Sequence, residues 1–303
     1  MATGLLAHIN ELSEQDCAIT GVAADWAATA PLDALKTLPL VDAAVSTRIG
    51  SRDEPVVLEW EWDRPIDLTY AGLYRTNLWK TGRIRLEAFK TSARTSLAFS
   101  TQFAGGIDRL VLPGLYDPKT LRFGGENTVL GQLGAREFLR YPTNIHVVMP
   151  LCSAQVLRWT IYGPAYRVTG SRYSTTEQAY RIGFGWAGDS VAIDRHVGAS
   201  AEGYRRGGKV TELAGGGVAV EPGRGRRTAT LDRTVNESGD RDRLFDLVNF
   251  LDADRPAVWL PDTDSAFDCY RYGGLFQVIE DFSQKYLNDL HSAATISLGE
   301  VTT

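Results

Sequence analysis

Val56-Val57-Leu58-Glu59-Trp60-Glu61-Trp62 decides the fold of this chain. Leu58, Trp60 and Trp62 recur at every second position, and Val57, Glu59 and Glu61 occupy the positions between. Successive side chains of an extended backbone point to opposite faces, so this pattern is a strand with one apolar and one wet face. Arg64-Pro65 is expected to end it, with a second strand over residues 67–75. Thr81-Gly82 then marks a turn into Arg83–Phe89, where Ile84, Leu86 and Ala88 alternate with Arg83, Arg85 and Glu87.

The same period continues outward. Residues 95–103 and 107–112 are weaker strand candidates. Residues 145–149 and 155–162 are strong ones, the latter placing Leu157, Trp159 and Ile161 on one face. Between them, residues 113–144 are glycine-rich and aperiodic, as expected of a functional loop or a surface excursion. Gly163-Pro164 punctuates the chain, and the domain boundary is placed there: 1–164 and 165–303. Beyond it, strands are expected at 180–186, 191–195, 209–213, 217–221, 227–234, 257–260, 272–280 and 292–301. A short helix is expected over 4–15 and an amphipathic one over 242–253, whose Leu244, Phe245, Leu247, Val248, Phe250 and Leu251 form one stripe. Residues 18–50 lack a period and are expected to wrap a sheet. The chain therefore reads as mainly β: a β-sandwich, then an antiparallel β-domain carrying one packed helix.

Composition narrows the function classes. The 303 residues carry a net charge of −5, and no basic run approaches a nucleic-acid footprint. The densest cations, Arg224-Gly225-Arg226-Arg227, read as a solvated hairpin loop. Cys17, Cys152 and Cys269 are widely spaced and odd in number, which argues against a disulfide framework or a structural zinc site. The first residues lack the charged and apolar regions of a signal peptide, and no apolar run approaches a membrane span, so folding in a cytoplasm is expected.

Catalytic patterns are not evident. His8, His146, His196 and His291 are far apart, with no HExxH and no Gly-x-Ser-x-Gly. Asp262-x-Asp264-x-x-x-Asp268 has cation-like spacing but lacks the glycine and late glutamate of an EF-hand, and a polar turn after Pro261 explains it. Glu59 and Glu61 lie side by side on one strand, not across a scissile bond. Gly215-Gly216-Gly217 reads as a hairpin tip. The expectation is no enzyme, no metal and no cofactor.

The segment Tyr74-Arg75-Thr76-Asn77-Leu78-Trp79-Lys80 is the best candidate for binding. Aromatic faces stack on sugar rings, while amide and guanidinium groups bond hydroxyls. The same residue types are enriched in protein contacts. Tyr74, Arg75, Asn77 and Trp79 are the candidate contact residues, with Trp79 plugging one end of a sandwich as the structural alternative.

Ser46-Thr47-Arg48 before Val56–Trp60, the run Leu68–Leu78, and the late Val156-Leu157-Arg158-Trp159-Thr160-Ile161 together resemble the galactose-binding-like, discoidin-type jelly roll. Arg227–Leu231, the helix from Asp242, Ala257–Asp262 and Tyr272–Phe276 resemble the strand–helix–strand module of tailed-phage tail-tip proteins. The two halves together resemble a minor tail or distal-tail (baseplate) protein. The resemblance implies a virion component assembled in the host cytoplasm. It implies a homo-oligomeric ring that contacts other tail proteins and joins the tail tube to hub or receptor-binding parts. A carbohydrate-binding protein for attachment to host-surface glycans is the alternative.

Overall fold

The computed structural model describes residues 3–14, 16–38, 40, 42–103, 105–112, 135–139, 143–169, 172–194, 201–205, 209–212, 218–221, 225–235, 250–251, 255–279, 283–286 and 292–301. The architecture is mainly β, with antiparallel sheets and short helices. The chain forms two compact units. One comprises Met1–His8, Ala192–Asp262 and Tyr272–Thr302; the other comprises Ile9–Val191 with Thr263–Arg271.

The larger unit is organised by two long strands, Val56–Thr76 and Thr143–Tyr162, paired antiparallel along their length. The break expected at Arg64-Pro65 is a bulge instead, and the register shifts between Glu61 and Ile66. Proline cannot donate to a ladder but is accommodated at a bulge, where pairing is already interrupted. The strands expected separately at 145–149 and 155–162 are likewise one. They belong to a seven-stranded sheet that also holds Arg83–Phe89, Leu97–Ser100, Arg109–Leu110, Cys17–Gly21 and Phe184–Gly188.

Alternation explains the core. Val56, Leu58, Trp60 and Trp62 are buried with Ile84, Leu86, Leu157, Trp159 and Ile161. Trp60 meets Trp159 edge to face, ring centres 5.7 Å apart. The sheet folds back on itself: a Cβ on Gly185 would lie 2.9 Å from Trp60 Cζ2 and 2.7 Å from Leu12 Cδ2, so glycine permits that approach. The opposite face of the same strands is wet and charged. Arg94 Nη2 donates to Glu59 Oε2 and Glu61 Oε2 at 2.9 Å each, and Arg158 bonds Glu59.

Phe184–Gly188 pairs with Val56–Thr76, so residues just past Gly163-Pro164 belong to the larger unit and the expected boundary at 164–165 falls inside it. A separate hairpin, Ala165–Thr169 with Arg172–Glu177, pairs with no further strand among the described residues.

The smaller unit is built on an eight-stranded sheet that includes the N-terminal strand, with a separate hairpin of Lys209–Glu212 and Val218–Glu221. Thr3–Ala7 is a strand here, not part of a helix over 4–15. Leu5, Leu6 and Ala7 pair with Leu260, Trp259 and Val258, and their burial in the sheet outweighs a helical spacing too short to sustain itself. Among the described residues of that stretch, only Glu11–Glu14 is helical. Arg226 and Arg227 lie in the strand Arg226–Val235, not in a loop. Arg227 Nη2 donates to Glu300 Oε1 at 2.7 Å, so its charge is paired rather than solvated. Residues 266–272 form a short helix where a polar turn was expected, and the following strand is Gly274–Val278. Most of the helix expected over 242–253, most of the loop expected over 113–144 and the turn at Gly215–Gly217 lie outside the described residues; within that loop Ala135–Phe138 is helical and Thr143 already starts a strand.

Candidate functional site

The Leu78–Lys80 end of the segment singled out in the sequence is built into the fold. Trp79, 8% exposed, meets Phe138 edge to face at 5.2 Å and stacks on Tyr173 at 5.3 Å. Phe138 stacks in turn on Tyr270, whose hydroxyl donates to the Phe138 carbonyl at 2.6 Å. Asn77 Oδ1 accepts from Arg181 N at 2.7 Å, and its Nδ2 donates to the Ala179 carbonyl at 2.9 Å. Tyr74 is 1% exposed, on the opposite side of the strand from the Val56–Trp62 core row. Arg75 has φ 54°, a backbone conformation most side chains avoid, and its N–H donates to Asn144 Oδ1 at 3.2 Å. Tyr74 and Trp79 are buried, while Arg75 and Asn77 are half-buried.

A second arrangement was not evident in the sequence. A further register shift between Leu68 and Tyr70 changes which side chains face which way. Ala71 and Leu73 point into the main core, while Tyr70, Gly72 and Tyr74 face the other side. Gly72 pairs with His146, which brings the imidazole to this side. Tyr70 Oη lies 2.7 Å from Tyr74 Oη and 2.6 Å from His146 Nδ1. Burial pushes the Tyr70 and Tyr74 hydroxyls well above the usual phenol range, so both stay protonated.

Beside this cluster opens a cavity of about 300 Å³ within the larger unit. Arg109, Asn144 and His146 line it, with Phe103 and Asp264 among the exposed lining residues. Arg109 Nη2 donates to the His146 carbonyl at 3.2 Å. Burial lowers the Arg109 value from its usual range. Phe103 is 62% exposed. It is held by a tight turn in which Gly105 (φ 85°) and Gly106 (φ 76°) take backbone conformations suited to glycine. Phe103 and Ile107 bridge across that turn, and Gln102 Nε2 bonds the Gly106 carbonyl and Asp108 Oδ1.

Of the aspartates spaced like cation ligands, Asp264 reaches the cavity rim, while the Asp268 N–H donates to Ser265 Oγ at the helix start. No group of three or more His, Cys, Asp or Glu among the described residues is placed to hold a metal. His8 packs against Phe250 with ring centres 5.7 Å apart; His196 and His291 lie outside the described residues. No helix of the described residues is long and apolar enough to cross a membrane.

No family model matches the sequence, and no curated protein matches it. Two solved structures from Clostridium perfringens show a remote likeness. CpGH89CBM32-4 has a TM-score of 0.32 and 11% identity over 60% of this chain and 100% of that one. CBM32-3 from a family 31 glycoside hydrolase has a TM-score of 0.30 and 12% identity over 59% of this chain and 90% of that one. Both are carbohydrate-binding modules.

Proposed function

We propose that this chain is a non-catalytic structural subunit of a phage tail tip. It assembles with copies of itself and with other tail proteins, and it connects the tail tube to hub or receptor-binding parts. The observation that carries the assembly reading is the hairpin Ala165–Thr169/Arg172–Glu177. Arg167, Val168, Thr169, Arg172, Tyr173, Ser174, Thr175 and Thr176 are all exposed, on both faces of a two-stranded ribbon. Such a ribbon is marginal by itself in water, and its unpaired edges are templates for another strand. A neighbouring copy supplies that strand in the assembled state. The Tyr173–Trp79 stack holds the ribbon near its tip, and Ala165 bridges Leu78 at its base. The tail-tip location rests on the resemblance of the sequence patterns described above.

Native mass spectrometry of the full chain tests this reading. The expected result is a discrete homo-oligomer that V168E/R172E reduces to monomer without changing the thermal melt. A strictly monomeric wild-type protein that is also absent from purified particles overturns it.

A second reading is carbohydrate binding during attachment to the host surface. The cavity beside Phe103 and Arg109 favours it, since it joins an exposed aromatic ring to polar donors.

A further inference from the structure

We propose that the cavity lined by Phe103, Arg109 and Asn144 binds a sugar acid, a single hydroxylated ring bearing one carboxylate. The inference deepens the carbohydrate reading and is independent of the assembly reading.

The first observation is the Arg109 guanidinium. It is half-buried in the cavity wall, it donates to the His146 carbonyl, and no carboxylate among the described residues forms an ion pair with it. A half-buried cation without a counter-charge keeps only part of its hydration, and an anionic ligand in the cavity would complement it. The planar fork of donors left on such a group matches a carboxylate.

The second observation is Asn144. It is 8% exposed and lines the cavity. Its Oδ1 is engaged by the Arg75 N–H, while its Nδ2 donates to no described residue. A buried amide with both donors unused offers hydrogen bonds to a ligand oxygen.

The third is the shape and polarity of the opening. Phe103 projects at the mouth on a glycine-braced turn, and an aromatic face stacks on the C–H groups of a pyranose ring. Asp264 places a carboxylate at the rim, where a ring hydroxyl could donate. A volume of about 300 Å³ sits at the small end of ligand pockets and suits one ring. Donors deep, an acceptor at the rim and an aromatic wall together describe a monocarboxylate with hydroxyls, not an inorganic anion.

Titration calorimetry and ligand-observed NMR of the full-length protein test this, with D-glucuronate, D-galacturonate, D-glucose, glucose 6-phosphate and acetate as probes. A uronate is expected to bind at least about tenfold more tightly than glucose, through a charge-assisted pair, and more tightly than acetate. F103A, at an exposed position, is expected to weaken uronate binding while leaving the melt unchanged. R109Q is expected to abolish the preference for the acid over the neutral sugar. Should R109Q fail to fold, the Arg109 Nε–H resonance of the wild-type protein supplies the readout, shifting on uronate addition. Equal binding of glucose 6-phosphate or acetate would make the cavity a general anion site and overturn the proposal. Neutral oligosaccharide binding that ignores F103A and R109Q would keep the carbohydrate reading and overturn this site. No uronate binding at millimolar concentration overturns the site as well.

Discussion

Tyr70 and Tyr74 stand four residues apart on one strand, and their hydroxyls meet at 2.7 Å. At about 3.3 Å per residue, their backbones are roughly 13 Å apart. The rings must lean toward each other across Gly72. A Cβ there would lie 2.6 Å from Tyr70 Oη and 3.1 Å from Tyr74 Cε2. The glycine is what allows the pair, and the pair places a hydroxyl on His146 Nδ1.

This linkage ranks three substitutions. Tyr70→Phe removes a hydroxyl with two partners, whereas Tyr74→Phe removes one with a single protein partner. The first is expected to cost about 1–3 kcal/mol, and the second about half that, in urea unfolding. Gly72→Ala is expected to cost about 1–3 kcal/mol by overpacking. A Gly72→Ala protein as stable as wild type would contradict the packing described.

The carboxyl of Glu59 governs part of the acid stability. Burial raises its value, but the bonds from Arg94 and Arg158 lower it further, and the net shift is downward from the ordinary 4.5. A carboxylate held down in the folded state contributes stability above its unfolded value and loses it as pH falls through the folded one. Wild type is therefore expected to lose stability faster than Glu59→Gln between about pH 5 and pH 3. Parallel pH–stability curves for the two proteins would show that the pair of arginines does not act on this group.

Cys17 should be chemically silent in the native state. Burial pushes its thiol up to about 12, so almost no thiolate exists near neutrality. Ellman's reagent at about pH 8 is expected to label Cys17 only after denaturant is added. Mass mapping that finds Cys17 labelled at once, without denaturant, would mean that this sheet edge opens.

Trp60 carries the fold-back of the sheet. It is fully buried against Trp159 and the Gly185 backbone. Trp60→Ala is expected to destabilise by about 3–5 kcal/mol. Gly185→Ala is expected to lose about 1–3 kcal/mol, because the new methyl meets Leu12 and Trp60. Thermal melts of both variants check this, and a Gly185→Ala protein that melts with wild type would show that the two layers are not in close contact.

Strand alternation was legible wherever one face is dry. Residues 56–62, 83–89 and 155–162 read directly, because Trp, Leu and Ile at every second position line one face of a strand and would scatter around a helix. Thr3–Ala7 did not, since Leu5 and Leu6 match a helical spacing and only pairing with residues 258–260 makes them a strand. The helix Ala266–Tyr272 hid behind its aspartates, which suit a turn equally well. The segment around Trp79 carried the residue types of a contact surface, yet burial is not written in residue type, and the aromatic cluster with Phe138 and Tyr270 claims its ring. One clue to the cavity was present: His146 interrupts the apolar run Ile145–Met149, which marks a polar requirement on an otherwise buried strand.

By itself, the order of apolar and polar residues determined the mainly β, antiparallel character of the chain, because side-chain direction along an extended backbone is a local property. Only tertiary structure decided that Arg109, Asn144 and Asp264 share one cavity. They sit on three separate segments, and their convergence depends on bulges, register shifts and the path of the chain between them, none of which a local pattern encodes.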